Sequence, residues 1–231
     1  MTEQTSQPET ATGFTLEVVI GAPVEVVWRA MREPDQIRRW HGWHAESLDA
    51  EIRQIYGDTA TESGSGATPY VLDVEGGDRF ELREHGDGTV VRLTRLPREQ
   101  VEGEWADWYD DITEGWTSFV HQLRFALERH PHEERRTLCL SGAGAPAQPL
   151  RESLAHHETF FSTDHQQGHV LDGLGPGLVV LGETPGRPGQ QPGAMAIVST
   201  YGLDDDAFAR EQDSWTAWWR AAYPDADPAV T

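Results

Sequence analysis

The chain is poor in cysteine: its 231 residues include one, Cys139. A single cysteine excludes a disulfide within the chain and any zinc site built from several thiolates. Leu138 and Leu140 flank it, so we interpret Cys139 as a buried strand thiol rather than as a nucleophile. A reducing, cytoplasmic environment is the simplest expectation for such a chain.

Basic residues are also scarce, with 18 Lys and Arg against 39 Asp and Glu and a formal net charge of −21. Such a surface repels DNA, RNA and anionic lipid, so neither nucleic acid nor a membrane is an expected partner. A solvated acidic surface that keeps the protein dissolved explains this charge. The alternative is an acidic face that docks a basic protein partner.

Long apolar runs are missing, since no stretch approaches the ~18–20 apolar residues that a membrane span requires. Residues 1–12 are polar and lack the hydrophobic core of a signal peptide. We therefore expect a disordered N-terminus over residues 1–12 and a cytoplasmic protein.

Strong catalytic motifs are absent as well. No Lys-Ser or Lys-Thr pair follows a glycine loop as a phosphate-binding loop requires, and Gly64-Ser65-Gly66 lies in a polar segment rather than at a nucleophile elbow. We predict no cofactor and leave enzymatic activity open. An acid/base role inside a cavity could still depend on a few side chains. These are His41, Tyr56, Glu81 and Arg83.

The histidines do not show the spacing of a metal site. One pair is His41 and His44, and a second group is His156, His157, His165 and His169. Zinc requires three or four converging ligands, and neither group has the His-Glu-x-x-His pattern. We predict no bound metal and interpret these residues as loop histidines.

The segment from Phe14 to Trp43 is the most informative part of the chain. Apolar and polar residues alternate over 14–20, which predicts a strand with one buried face. Pro23 precedes an apolar stripe typical of an amphipathic helix near 23–32, which Pro34 ends. A second short helix over 35–40 brings Trp40 and the next few residues to one place.

The order of these motifs resembles the START-like, helix-grip (SRPBCC) superfamily, in particular its branch of homologues of activators of the heat-shock-protein ATPase. The residues that carry the resemblance span roughly 12–130 and are Ala22–Ala30, Glu33–Ile37, Arg39–Trp43, Gly76–Leu82, Gly88–Leu93 and Glu114–Trp116. The resemblance implies an α+β fold in which a curved antiparallel sheet wraps around a long C-terminal helix. It also implies a cavity beneath that helix.

Periodicity places further elements in the first half. We predict strands over 70–74, 78–84 and 89–95, and a helix over 106–129. Ile52, Gln54 and Tyr56 could form another strand, and residues 57–68 are a polar loop. In the second half we predict strands over 137–141, 178–182 and 194–201, and helices over 149–156 and 204–223. The Gly/Pro-rich run over 173–193 cannot be one regular element.

The last helix resembles the earlier long helix at an offset of 99 residues. Asp107, Tyr109, Trp116-Thr117 and Phe119 correspond to Asp206, Phe208, Trp215-Thr216 and Trp218. We therefore predict a helix-grip domain over 13–132, a second, degenerate copy over 133–224 and a tail over 225–231. The alternative is a chance match between two aromatic, amphipathic helices.

Nine tryptophans are the main compositional peculiarity. A tryptophan brings a large apolar face and an N–H group that needs a partner, and both suit a ligand cavity. We predict that a small hydrophobic or aromatic molecule binds there. The predicted ligand-binding residues are Trp40, His41, Trp43, Tyr56, Phe80, Trp116, Phe119 and Leu123.

Packing is the alternative role for several of these aromatic residues, and we expect Trp28 to pack the first helix on the sheet. Trp105 and Trp108 could close one end of the cavity. Two other functions remain open: an enzyme similar to polyketide cyclases and aromatases, or a co-chaperone-like module that binds a protein partner. A homodimer is the alternative to a different protein partner.

Overall fold

The structure is a computed structural model, which describes residues 13–64, 69–172, 177–184, 191–225 and 227–231. It confirms the α+β class, with two antiparallel sheets and a long helix. The predicted N-terminal disorder lies outside the described residues, as do parts of the predicted 57–68 loop and of the Gly/Pro-rich run.

In the described part of the first half there are five strands and five α-helices. Its strands are β1 (Thr15–Ile20), β2 (Thr61–Ser63), β3 (Tyr70–Val74), β4 (Asp78–His85) and β5 (Gly88–Thr94). Its α-helices are α1 (Val24–Ala30), α2 (Pro34–Ile37), α3 (Leu48–Ile52), α4 (Glu104–Asp107) and α5 (Tyr109–Arg129). A π-helical segment, Arg53–Asp58, continues α3, and short 3-10 turns lie at Glu75–Gly77 and Arg98–Gln100.

The second half repeats the alternation of strands and helices. Its strands are β6 (Arg135–Ala143), β7 (Thr159–Ser162), β8 (Gln166–Leu171), β9 (Gly177–Thr184), β10 (Gly193–Tyr201) and β11 (Ala229–Val230). Its helices are α6 (Gln148–Leu154) and α7 (Asp205–Ala222).

Local chemistry explains several of the element boundaries. Pro34 occupies the first turn of α2, where its missing N–H leaves no hydrogen bond unmade. Gly86, at φ 59°, forms the turn between β4 and β5 that residues with a Cβ rarely adopt. The Asp204 carboxylate caps α7 by accepting a hydrogen bond from the Ala207 N–H at 2.8 Å.

The strand orders of the two sheets are alike. In the first sheet the order is β1-β5-β4-β3-β2, and in the second it is β11-β6-β10-β9-β8-β7. Apart from β11, the first strand of each half therefore pairs with the last, and a long helix follows. The second half forms its own sheet and is not all helical. The second, degenerate copy nevertheless stays a prediction.

Helix α5 lies between the two sheets. Trp116, Val120 and Leu123 belong to the core it shares with the first sheet, whereas Phe125 and Ala126 pack on the second. The other face of the second sheet forms a third core with α6 and α7, which includes the fully buried Trp219. The layers are thus sheet, helix, sheet and helices, and apolar burial on both sides of α5 joins the two halves.

The local structure differs from the predictions in two respects. Ile52–Tyr56 is helical, because Leu48, Ile52 and Tyr56 are all buried at the four-residue spacing of a helix face. Helix α3 and strands β2, β7 and β8 were not predicted at all. Within the predicted tail, Ala229 and Val230 pair with Ser141 and Leu140 of β6.

Trp28 is partly buried and stacks on Tyr70 with ring centroids 5.2 Å apart. This is the packing role expected for it. Among the described residues, no helix has the length and apolar content needed to cross a membrane.

Candidate functional site

A cavity of about 430 Å³ lies where α4 and α5 pass strands β8, β9 and β10. Its apolar wall is mainly aromatic and combines both halves of the chain. The aromatic lining residues are Trp43, Trp105, Trp108, Trp116 and Phe119, and the aliphatic ones are Ile55, Val101, Ile112 and, from β10, Met195 and Ile197. Cavities of this volume accommodate small organic ligands.

The structure separates the eight predicted ligand-binding residues into two groups. Four line the cavity: His41, Trp43, Trp116 and Phe119. The other four are at most 3% exposed and pack in the core between α5 and the first sheet: Trp40, Tyr56, Phe80 and Leu123. The space directly beneath the helix therefore holds side chains, and the opening lies beside it, toward the second sheet.

Trp40 illustrates this difference. Its indole N–H donates to the Ala30 carbonyl at 2.8 Å, and its ring packs edge-on against Tyr56 with centroids 5.8 Å apart. These contacts favour the packing role over ligand contact. Trp105 and Trp108, in contrast, line the cavity and are 45% and 41% exposed, so they stand at its mouth.

His41 is the buried histidine of the cavity wall. Its Nε2 lies 3.1 Å from Oε1 of Glu51, and its Nδ1 lies 2.9 Å from the Tyr56 hydroxyl. In this arrangement Nε2–H donates a hydrogen bond to the Glu51 carboxylate, and Nδ1 accepts a hydrogen bond from the Tyr56 hydroxyl. Burial raises the pKa of Tyr56, so its phenol stays protonated and holds the imidazole in this orientation. The His41 ring packs on Phe119 at 4.6 Å between centroids.

The buried ion pair between Asp78 and Arg95 is hydrogen-bonded to the indole of Trp116. The Asp78 carboxylate accepts from Arg95 Nε at 2.7 Å and from the Trp116 indole N–H at 2.6 Å. Arg95 also donates to the Tyr109 carbonyl at 2.8 Å and to the Thr113 hydroxyl. Burial raises the pKa of Asp78 above its usual range, although Arg95 and the hydrogen bonds act in the opposite direction. The network fixes the indole plane that faces the cavity.

Arg135, at the start of β6, anchors the cavity wall to the second sheet. Its guanidinium donates to the carbonyls of His41 and Gly42 at 3.3 and 2.6 Å, to Gln122 Oε1 at 2.7 Å and to the Ser199 hydroxyl at 3.1 Å. No carboxylate forms an ion pair with it among the described residues. Burial lowers the pKa of Arg135 to about 10. This residue was not predicted, because charge and position in the sequence do not distinguish it from a surface arginine.

Most of the charged side chains in the wall are acidic. The acidic residues are Glu51, Glu75, Asp78, Asp111, Glu114 and Glu183. Arg95 is the one arginine among the described lining residues. Burial raises the pKa of Glu114, and its Oε2 is buried without a hydrogen-bond partner among the described residues. The sequence analysis treated the acidity as a property of the whole surface and did not predict this concentration.

Two glycines of the wall lie on opposite sides, Gly115 on α5 and Gly182 on β9. A Cβ built at Gly115 would lie 3.6 Å from Phe119, and one at Gly182 would lie 3.6 Å from Gln166. Both are ordinary van der Waals distances, and neither residue has a positive φ. Neither backbone conformation nor crowding requires glycine here. A larger side chain would instead take up cavity volume.

The remaining candidates for chemistry lie elsewhere. Glu81 and Arg83 form a surface pair 3.4 Å apart on β4 and do not line the cavity.

Burial raises the pKa of Cys139 to about 12, so this thiol is protonated at neutral pH and does not act as a nucleophile. Within the described ranges, no group of three or more His, Cys, Asp or Glu side chains is arranged to hold a metal ion.

No protein-family model matches the chain, and no curated protein matches it. Among solved structures, it is similar to three proteins of biosynthetic pathways. DynU16, from the dynemicin biosynthetic locus, is 15% identical, with 90% of this chain and 95% of that chain covered and a TM-score of 0.29.

The other two are di-domain ARO/CYC proteins. StfQ, from the steffimycin pathway, is 13% identical, with 84% of this chain and 86% of that chain covered and a TM-score of 0.33. BexL, from the BE-7585A pathway, is 11% identical, with 90% and 95% covered and a TM-score of 0.31. All three TM-scores are below 0.5. Membership of the heat-shock-ATPase activator branch also stays a prediction.

Proposed function

We propose that the protein binds a small aromatic or other apolar molecule in the 430 Å³ cavity between α5 and the second sheet. The observation that carries this proposal is the wall itself, in which five aromatic side chains from the first half face apolar residues of β10. Burial of apolar surface contributes ~25 cal/mol per Å², so enclosing ~200 Å² of a ligand contributes about 5 kcal/mol before the entropic cost of binding.

The rigidity of the wall supports the same function. Trp116 is held by Asp78, and His41 is held by Glu51 and Tyr56, so these aromatic faces are in place before a ligand arrives. A pre-organised cavity does not lose side-chain entropy when it binds. The neighbouring glycines keep the cavity open along α5 and β9.

The test uses N-phenyl-1-naphthylamine, a neutral aromatic probe whose emission rises in apolar surroundings. We expect it to bind the wild-type protein and to quench tryptophan emission, since five aromatic residues surround the cavity. Gly115→Leu places a branched side chain in the cavity and should weaken binding at least about tenfold.

Gly115→Ala is the matched control, because it makes the same backbone change but adds a single carbon 3.6 Å from Phe119. It should bind the probe nearly as well as the wild type. If the folded wild type does not bind the probe, or if Gly115→Leu binds as tightly as Gly115→Ala, the cavity hypothesis is wrong. The protein-interaction module then becomes the better explanation.

One observation favours a cyclase- or aromatase-like enzyme as a second candidate. The Glu51, His41 and Tyr56 side chains form a continuous hydrogen-bonded line that reaches the cavity wall at His41. The imidazole uses both ring nitrogens in these bonds, so the group free to accept a proton from a bound carbon acid is the Glu51 carboxylate, which lines the cavity and is oriented by the Nε2–H of His41. With a poly-β-carbonyl substrate, Glu51→Gln should abolish the absorbance of a new aromatic ring. Phe119→Leu should weaken substrate binding and leave the maximal rate largely intact. Equal rates for the wild type and Glu51→Gln would exclude this role.

A further inference from the structure

The cavity wall is far more acidic than the chain as a whole. The chain has 39 acidic and 18 basic residues, about two to one, whereas the described lining residues include six carboxylates and one guanidinium. That guanidinium, Arg95, is already paired with Asp78 at 2.7 Å. The negative charge of the cavity is therefore not balanced from within the wall.

Most of these carboxylates have a partner in the structure. Glu51 lies 3.1 Å from His41, Glu75 accepts from Gln54 at 2.7 Å, and Glu183 lies 3.5 Å from Arg151, which is outside the cavity.

Glu114 differs from the others because its Oε2 is buried with no donor among the described residues. Burial raises the pKa of Glu114, and the charges of Asp110 and Asp164 act in the same direction, while His165 and Gln166 oppose them. Because Oε2 has almost no accessible surface, a ligand in the cavity would interact with the charge of the Glu114 carboxylate rather than through a hydrogen bond to Oε2.

Glu114 lies within about one and a half helical turns of two aromatic residues of the wall, Trp116 and Phe119. It is on α5 with Gly115, Trp116 and Phe119, and the indoles of Trp105 and Trp108 lie at the mouth. The faces of aromatic rings attract cations, most strongly when the cation is shielded from water. Carboxylates and ring faces in one cavity therefore favour the same kind of charged group.

We propose that the ligand of this cavity is a cationic aromatic molecule, with a protonated amine that pairs with Glu114 and an aromatic body enclosed by Trp116 and Phe119. This inference rests on the proposed function, because it names the charge of the molecule that the cavity binds. The amine balances the negative charge that Arg95 alone leaves in the wall. A ligand with a carboxylate or phosphate in the same position is repelled.

Three naphthalene compounds of similar size test the charge preference: 1-naphthylmethylamine, which is cationic, 1-naphthalenemethanol, which is neutral, and 1-naphthoate, which is anionic. Each competes with N-phenyl-1-naphthylamine for the wild-type protein in buffer of low ionic strength. We expect the amine to bind about tenfold more tightly than the alcohol, and the naphthoate to bind most weakly. The preference for the amine should shrink as salt is added.

Glu114→Gln retains the shape of the side chain and removes its charge. It should weaken binding of the amine about tenfold and change that of the alcohol less than about twofold. Glu84→Gln is the matched control, because it makes the same change at an exposed position on β4 that does not line the cavity. It should leave both affinities unchanged.

The outcomes distinguish this inference from the proposed function. If the neutral probe binds but the amine and alcohol bind equally, or the naphthoate binds most tightly, the cationic ligand is wrong and the binding cavity stands. An equal loss of amine affinity in Glu114→Gln and Glu84→Gln would also refute the inference, because net charge alone would then explain it. If neither the probe nor any naphthalene compound binds the folded protein, the proposed function is wrong as well.

Discussion

His121 should make the protein unstable in acid, and the magnitude follows from its surroundings. This histidine is on α5, is 8% exposed and stacks on Phe161 with ring centroids 3.8 Å apart. Burial, reinforced by the charge of Arg124, lowers the pKa of His121 from 6.5 to about 4. The folded protein therefore resists a proton that the unfolded chain accepts.

The sign of the effect follows from proton binding. Between pH 6.5 and about 4 the unfolded state binds more protons at this residue, so the free energy of unfolding decreases as the pH falls. At about 1.4 kcal/mol per pKa unit, His121 should cost about 2.5 kcal/mol at pH ~4.5 and about 3 kcal/mol below pH ~4. Above pH ~6.5 it costs nothing.

His121→Phe retains a planar ring against Phe161 and removes the titration. In urea denaturation, the free energy of unfolding of this variant minus that of the wild type should be about 2.5 kcal/mol larger at pH ~4.5 than at pH ~7.5. The variant thus gains stability over the wild type as the pH falls. Titration of the carboxylates is common to both proteins and cancels in this difference. His85→Gln, at an exposed position on β4, is the control and should show no such change.

A difference between His121→Phe and wild type that stays constant within ~0.5 kcal/mol across these pH values would refute the reasoning. It would mean that the folded protein takes up the proton at His121 without cost, and that α5 and the second sheet are not closely packed there.

Further predictions concern the buried polar groups and α5. Asp78→Ala leaves Arg95 buried without its carboxylate, so we expect urea denaturation to show a loss of about 3–5 kcal/mol, and Asp78→Asn to lose less. Arg135→Met removes the hydrogen-bond donor from two carbonyls and Gln122, which should lower the free energy of unfolding by at least ~2 kcal/mol. Arg135→Lys should not restore that stability, because an ammonium group cannot reach all three acceptors. Full stability in Arg135→Met would contradict this role. Gly115→Ala should raise the free energy of unfolding by ~0.5–1 kcal/mol in the ligand-free protein, and a loss would show that the helix is crowded there. Cys139 should react with a thiol reagent only after denaturation, and rapid reaction of the folded protein would contradict its burial.

Local sequence patterns determined most of the regular elements. The period-two alternation over 14–20 predicts β1, and the apolar stripe between Pro23 and Pro34 predicts α1, because these signals depend only on neighbouring residues. The aromatic stripe over 106–129 likewise predicts α5. The same reasoning failed at Ile52–Tyr56, where an alternation over a few residues imitates a strand although the burial pattern is helical.

The cavity, in contrast, depends on contacts between distant parts of the chain. Sequence reasoning predicted an opening beneath α5 and named Trp40, Tyr56 and Phe80 for it, yet these side chains fill that space. The second sheet packs on the opposite side of α5, and the opening lies between them. No local pattern reports which sheet covers which face of a helix.

The polar groups of the site show the same division. Arg135 and Arg136 are neighbours with the same side chain, but Arg135 is buried against His41 and Gly42 whereas Arg136 pairs with Asp205 at the surface. Sequence determined that many carboxylates are present, and only the fold placed Glu114 in the cavity wall together with Trp116 and Phe119. Burial and electrostatic surroundings are set by residues far apart in sequence, which is why the tertiary structure alone decided them.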